Sequence, residues 1–352
     1  MTANGSPLRV LVVDDSPTVR AVLRRMIEGC EDLDVVAEAN DGLAAVQMTR
    51  DLAPDVILMD ITMPNLDGLD ATTQIMQRSP TAVLMFSTEV HLHGNRTIFE
   101  AYECGARSVL AKPSSPEGWM ELSRSLPELV RTIAADFQGG SGNATMLTPA
   151  PEEIEPPIFE RPIHYLAIGA STGGPEALRE LLAGLAPKPP MAVLVVQHIA
   201  SEFENGLVDW LRGDLDIEIA LARDGERVRP GEIRLAPQGA HMRLTLEGRL
   251  ELDRRTPPLR GHRPSANELL NSCALVAPRQ TAGILLSGMG RDGVDGLLAI
   301  RQNGGLTLVQ DQITSVVFGM PQAALEAGAA DQAMSPKRLA SHLLRSCGME
   351  LK

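Results

Sequence analysis

Short runs of β-branched and aliphatic residues alternate along this chain with stretches whose apolar positions recur every three or four residues. The first five runs are RVLVV (9–13), DVVAEA (34–39), DVILM (55–59), AVLMF (82–86) and SVLA (108–111). After the first, Ser16-Pro17 opens a segment in which Val19, Val22, Leu23, Met26 and Ile27 fall on one helical face. Strand followed by helix is therefore the repeating unit. Near-continuous apolar strands linked by helices predict a parallel sheet covered on both faces. Further on, HYLAIGA (164–170), MAVLVVQ (191–197), TAGILLSG (281–288) and GLTLVQ (305–310) repeat the arrangement. The fold class expected is α/β: two doubly wound parallel-sheet domains, one five-stranded and one larger and Rossmann-like.

Between the two halves the hydrophobic period is lost. Residues 136–162 are rich in Gly, Pro, Ser and Glu, the composition of an exposed linker. The expected division is a first domain at 1–135, a linker at 136–162 and a second domain at 163–352. No sequence period links the two halves.

Composition narrows the function. The 352 residues are 44% hydrophobic and 22% charged, an ordinary balance for a globular protein, and with 3% aromatics the cores must be aliphatic. A net charge of -13, from 32 basic against 45 acidic residues, argues against binding nucleic acid through phosphate contacts. Cys30, Cys104, Cys273 and Cys347 are too scattered for a disulfide framework or a zinc site. Apolar runs are too short to span a bilayer and the N-terminus lacks a signal-peptide core, so a cytoplasmic protein without membrane insertion is expected.

In parallel sheets, functional groups collect beyond the carboxyl ends of the strands. In the first domain those positions hold Asp14 and Asp15, Asp60, Ser87 with Thr88, and Lys112. A lone Asp at a strand end is usually a cap or turn residue. Here four strand ends agree. Three clustered carboxylates repel one another unless a cation sits among them, and hard oxygen ligands suit Mg2+. With that charge offset, Asp60 can attack a phosphoryl donor while Lys112 and Ser87 or Thr88 contact the new oxygens.

The motifs VVDDSP, ILMDITMPNLDGL, FST and AKP at these spacings resemble the response-regulator receiver domain over residues 8–130. The resemblance implies that Asp60 accepts a phosphoryl group from a partner histidine kinase. It also implies that Asp14 and Asp15 help hold Mg2+ and that Thr62 contributes a backbone carbonyl. The stretch STEVHLHGNRTIF leaves Ser87 and Thr88 both open as the switch hydroxyl; Ser87 directly follows the strand.

In the second domain, Gly169-Ala170-Ser171-Thr172-Gly173 satisfies G-x-S-x-G, the pattern of a tight strand-to-helix turn that exposes a serine. The same five residues also suit a plain turn or an anion-binding helix N-terminus. A serine nucleophile needs a base and a group that orients the base. His198 follows a buried strand at the edge that carries Ser171, and Asp292 lies in a glycine-rich loop beyond another buried strand. His241 and His262 lie in loops without an equally apolar strand before them and rank below His198. His91 and His93 (in the first domain), His164 and His342 suit exposed or capping roles.

The order Ser, His, Asp differs from that of α/β-hydrolases, although the geometry recurs on unrelated folds. Together with IGASTGGPEAL, VVQH, LAPQGAHM, HRPS, LLSGMGRDG and QDQITSVVFGMPQAAL, it resembles the CheB-type protein-glutamate methylesterases over residues 163–345. The resemblance implies Ser171 as nucleophile, His198 as general base, Asp292 as its orienting carboxylate, and backbone oxyanion donors at Thr172 and Met289. It implies methyl-accepting chemoreceptors as substrates, demethylated at glutamate γ-methyl esters with methanol released, and glutamines deamidated by the same triad. No cofactor is expected for the esterase reaction. It further implies that the receiver hinders access to the catalytic face until phosphorylation reshapes it near Tyr102. Two stretches depart from the family: QHIASEF lacks the usual prolines, and Asn267 in RPSAN stands where an aspartate is common, which leaves the substrate groove open to change and receptor recognition less defined than the chemistry. A competing expectation is a phosphorylation-responsive signalling adaptor that binds receptors without turnover.

Overall fold

The alternating runs form two open parallel sheets, each in its own compact unit, Met1–Asn143 and Ala144–Lys352. The computed structural model describes residues 6–87, 100–102, 104–113, 115–141, 159, 161–199 and 201–349. Among these residues no helix is long and apolar enough to cross a membrane.

In the first unit, strands β1 (Leu8–Val13), β2 (Leu33–Ala39), β3 (Val56–Asp60), β4 (Ala82–Ser87) and β5 (Ser108–Ala111) are parallel in the order β2-β1-β3-β4-β5. Every residue of β3 and β4 is buried, which is why these runs carry no polar alternation. Helices α1 (Pro17–Glu28), α2 (Gly42–Leu52), α3 (Gly68–Arg78) and α4 (Pro116–Ser141) complete the described regular structure. The first three start on side-chain caps from Ser16, Asp41 and Asp67, which accept backbone N–H groups left unpaired at a helix start. On α1, Leu23 and Ile27 are the buried members of the expected apolar face.

The helix α4 continues through Ser141, past residue 135 and into the stretch whose composition suggested a linker. Its Phe137 ring lies under the Arg107 guanidinium at 5.1 Å, a contact from a distant loop that composition cannot register.

In the second unit seven parallel strands run in the order β14-β13-β12-β6-β7-β9-β8. They are β6 (Tyr165–Ala170), β7 (Ala192–Gln197), β8 (Ile219–Leu221), β9 (Ile233–Leu235), β12 (Thr281–Leu285), β13 (Leu306–Gln310) and β14 (Gln332–Met334). A separate antiparallel pair, β10 (His241–Leu244) and β11 (Leu250–Asp253), stands outside the sheet. Helices α5 (Gly174–Leu185), α6 (Glu204–Leu215), α7 (Ala266–Val276), α8 (Val294–Gln302), α9 (Gly319–Glu326) and α10 (Pro336–Ser346) flank these strands. The four long strands are those expected from hydrophobic runs. Three-residue strands such as β8, β9 and β14 are too short to show a period and exist because a neighbouring strand pairs with them.

In each sheet the chain leaves a central strand to one side and later returns to the other. These reversals fall at β1/β3 and at β6/β12, and they open crevices at the carboxyl ends, where candidate residues cluster. His342 departs from expectation. It is 1% exposed, because on α10 it falls on the apolar face with Leu339 and Leu343.

Candidate active site and acidic pocket

In the first unit, Asp14 follows β1, Asp60 ends β3 and Lys112 follows β5. The Lys112 backbone N–H donates to the Ser87 carbonyl at 2.8 Å, which brings the fifth strand's end beside the fourth's. Its Nζ then lies 2.6 Å from Asp14 Oδ2 and 2.9 Å from Asp60 Oδ1. Asp14 and Asp60 are buried and Asp15 is exposed, and one carboxylate oxygen from each lies within 4.8 Å of the others. Three carboxylates against one ammonium leave an excess of negative charge. Burial drives the Asp60 carboxyl up to about 6, with Lys112 opposing the rise and Asp14 and Asp15 adding to it. Ser87 is the buried last residue of β4. Thr62, two positions beyond Asp60, is exposed. Thr88, the alternative switch hydroxyl, lies outside the described residues, as do His91 and His93.

In the second unit, the β6–β7 ladder ends with Ala170 opposite Gln197, so Ser171 and His198 are the next residues on two adjacent strands. The His198 N–H donates to the Ala170 carbonyl at 2.9 Å and extends the ladder by one rung. Gln197 is 1% exposed, and its Nε2 donates to the carbonyls of Ser171 at 2.8 Å and His198 at 3.0 Å. One side-chain amide thus ties the two candidate residues together.

Asp292 reaches this rim from the loop after β12. Its Oδ2 lies 2.9 Å from His198 Nε2. The carboxylate also accepts from Ser265 Oγ at 2.6 Å, from the Ala266 N–H at 2.6 Å and from the Asn267 N–H at 3.2 Å, the start of α7. Burial alone would raise its carboxyl. Hydrogen bonds from His198 and Ser265, with the helix N–H groups, outweigh that and hold it at about 2. An ionised carboxylate only accepts, so His198 Nε2 carries the proton in this bond, and in the neutral tautomer so fixed the lone pair is on Nδ1. That Nδ1 is buried and has no hydrogen-bond partner among the described residues.

The turn around Ser171 is equally constrained. Gly173 has a φ of 73° and a Cβ there would stand 2.4 Å from Val316 Cβ, so only glycine fits. The Ser171 carbonyl accepts from the Gly174 N–H at 2.8 Å as well as from Gln197. Because the peptide is planar and trans, the Thr172 N–H points the opposite way. Gly288 passes directly against the serine: a Cβ there would lie 2.8 Å from Ser171 Cβ and 2.5 Å from Met320 Sδ. Met289 is the next residue. Ser287 Oγ donates to the Thr172 carbonyl at 2.7 Å and accepts from the Val317 N–H at 2.9 Å, which fastens both loops.

The other histidines divide. His241 is buried with both ring nitrogens engaged by backbone, Nδ1 by the Ser265 N–H at 3.2 Å and Nε2 by the Pro257 carbonyl at 3.1 Å. His164 is exposed. His262, ranked low from sequence, stacks on His198 with ring centroids 3.9 Å apart. Asn267 is 6% exposed, its N–H donates to Asp292, and its Oδ1 accepts from the Gly296 N–H at 2.9 Å. It braces the carboxylate loop. Ala200, within the other departing stretch, lies outside the described residues. Sequence alone assigns no role at this site to Ser265, Ser287, Gly288 or Gln197 and offers His262 only as an alternative base; the signal that marks Gln197 is an amide at the end of an all-apolar strand.

Residues 166–343 match the CheB methylesterase family, and residues 10–123 match the response regulator receiver domain. The chain belongs to the CheB methylesterase family. A relative in Methanospirillum hungatei, named protein-glutamate methylesterase/protein-glutamine glutaminase 2, is 37% identical over 342 residues, 96% of this chain and 97% of the relative. One of the same name in Pseudomonas aeruginosa is 38% identical over 344 residues, 96% of this chain and 97% of the relative. The crystal structure of the Thermotoga maritima CheB methylesterase catalytic domain superposes with a TM-score of 0.50 at 31% identity. It covers 53% of this CheB-family chain and 99% of that domain.

Proposed function

We propose that this CheB-family protein is a phosphorylation-regulated esterase that hydrolyses glutamate γ-methyl esters on methyl-accepting chemoreceptors, working in the cytoplasm. The observation that carries the reading is the 2.9 Å bond between His198 and Asp292 at the strand edge that also presents Ser171. In this reading the Ser171 hydroxyl attacks the ester carbonyl carbon and its proton passes to His198 Nδ1. The tetrahedral oxyanion takes hydrogen bonds from the N–H groups of Thr172 and Met289. Collapse breaks the C–O bond, and His198 returns the proton to the departing methoxide, giving methanol and an acyl-serine. Water, deprotonated by His198, then attacks the acyl group and restores Ser171 and a glutamate carboxylate. A glutamine amide follows the same course with ammonia leaving.

The residues at the acidic pocket fit a hard divalent cation, since the cluster of Asp14, Asp15 and Asp60 exceeds the charge of Lys112. Mg2+ held there, with Thr62 lending its carbonyl, would neutralise charge during phosphoryl transfer. Asp60 is the proposed acceptor from a histidine kinase, Lys112 and Ser87 or Thr88 the groups that meet the phosphoryl oxygens. The receiver is assigned to the first unit, with α4 through Ser141 as its last helix, and the esterase to residues 163–352. The test is methanol release from methylated receptor, with and without a small phosphodonor. Turnover should vanish in Ser171→Ala and His198→Ala, and its phosphodonor response should vanish in Asp60→Ala; full turnover in Ser171→Ala overturns the reading.

A further inference from the structure

His262 lies on the segment between β11 and α7, and its imidazole covers one face of the His198 ring with centroids 3.9 Å apart and planes 3° from parallel. The segment is built to hold it there. The backbones of Leu259 and His262 exchange both hydrogen bonds, at 3.0 and 2.9 Å, around a turn in which Arg260 and Gly261 have φ values of 51° and 88°. A non-glycine residue held at positive φ carries a conformational cost that the surrounding structure must offset. Arg260 is fixed in turn to Asp295 at the start of α8, at 3.2 Å. The Arg263 guanidinium donates to the carbonyls of Arg254 and Thr256, drawing the two ends of the segment together. The next residues, Ser265 to Asn267, donate to Asp292.

We propose that His262 is a positioning residue for the general base: it fixes the plane of the His198 ring and with it the direction of the Nδ1 lone pair. This rests on the esterase reading above. The bond from Nε2 to Asp292 restrains one edge of the imidazole but leaves the ring able to tilt about the line from its β-carbon to that bond. A flat partner at stacking distance removes that freedom, because any tilt drives ring atoms together. Proton transfer from the serine depends on the direction of the nitrogen lone pair, and loss of alignment lowers turnover without weakening the ground-state complex. Ser265 and His262 therefore serve the same imidazole from two sides, one through the carboxylate and one through the ring face.

The test uses the full-length protein, methylated receptor and the variants H262A, H262F and H262L, beside S171A and H198A. Methanol release gives kcat and KM, a fluorophosphonate probe gives the rate of Ser171 modification, and thermal unfolding reports folding. H262A is expected to lower kcat and the probe rate by about ten-fold with KM changed less than about two-fold, because a misdirected base costs rate and not binding. H262F, which keeps a flat ring but cannot titrate or hydrogen-bond as imidazole does, should restore kcat to within about three-fold of the parent. H262L, apolar but not flat, should stay low, and it decides the matter if H262A fails to fold. Parental kcat in H262A or H262L, or H262F as slow as H262A, overturns the proposal, as does a rise in KM at unchanged kcat. If S171A and H198A are themselves active, the esterase reading fails instead; if they are dead and H262A is not impaired, only the role of His262 falls.

Discussion

His198 and Asp292, ninety-four residues apart in the chain, share a hydrogen bond of 2.9 Å, and the carboxylate end of that bond accepts three further donors. Exchanging the acid for its amide keeps the shape but removes the charge that fixes the tautomer of His198. Asp292→Asn should lower kcat by on the order of 10⁴-fold, the size seen when the same change is made in a serine protease triad. Single-turnover methanol release measures it.

The same carboxylate gives the fold a pH dependence of known sign. Its folded value of about 2 lies below the ordinary 3.8, so the unfolded chain binds the proton first as pH falls. The stabilisation is complete above 3.8 and is lost as pH falls through about 2. Urea midpoints of the second unit's transition, taken from pH 6 downward, should fall across this window in the parent and fall less steeply in Asp292→Asn.

Gly288 leaves room for the nucleophile. A methyl group there meets Ser171 Cβ at 2.8 Å and Met320 Sδ at 2.5 Å, so Gly288→Ala must push the Met289 loop outward. Displacing one proposed oxyanion donor should lower kcat by about 10²-fold. Overpacking should cost about 1–3 kcal/mol, read from denaturant unfolding.

Gln197 offers a third way to disturb the site without touching a reacting group. Gln197→Met keeps length and burial but removes both hydrogen bonds to the Ser171 and His198 carbonyls. The Ser171 carbonyl then keeps only the Gly174 N–H, so the direction of the Thr172 N–H is held by one bond in place of two, and kcat should drop by roughly ten-fold at similar KM. Steady-state kinetics on purified protein checks it.

The acidic pocket makes a prediction about metal. Mg2+ added to the full chain should give a saturable calorimetric signal that Asp15→Asn weakens, since each carboxylate removed lowers the charge offered to a hard cation. An unchanged isotherm in that variant would remove Asp15 from the ligand set.

Much of this molecule follows from the sequence because the signals involved are local. Short β-branched runs such as VILM and AVLVV, bounded by turn residues, read as strands buried on both faces, and strand-then-helix alternation indicates parallel sheets whose carboxyl ends are known in advance. From that alone Asp14, Asp60 and Lys112 converge at one edge, and Ser171, His198 and Asp292 at another. Tertiary structure decided what no window of residues contains. The second nitrogen of His198, the four donors on Asp292, the Gln197 bridge and the His262 stack each depend on segments brought together from distant parts of the chain. So do Asn267 as a brace and the burial of His342, because a side chain's partner across space is set by how helices and loops pack over the sheet. A periodic pattern records only which face of an element is apolar, never which polar atom on another element will meet it.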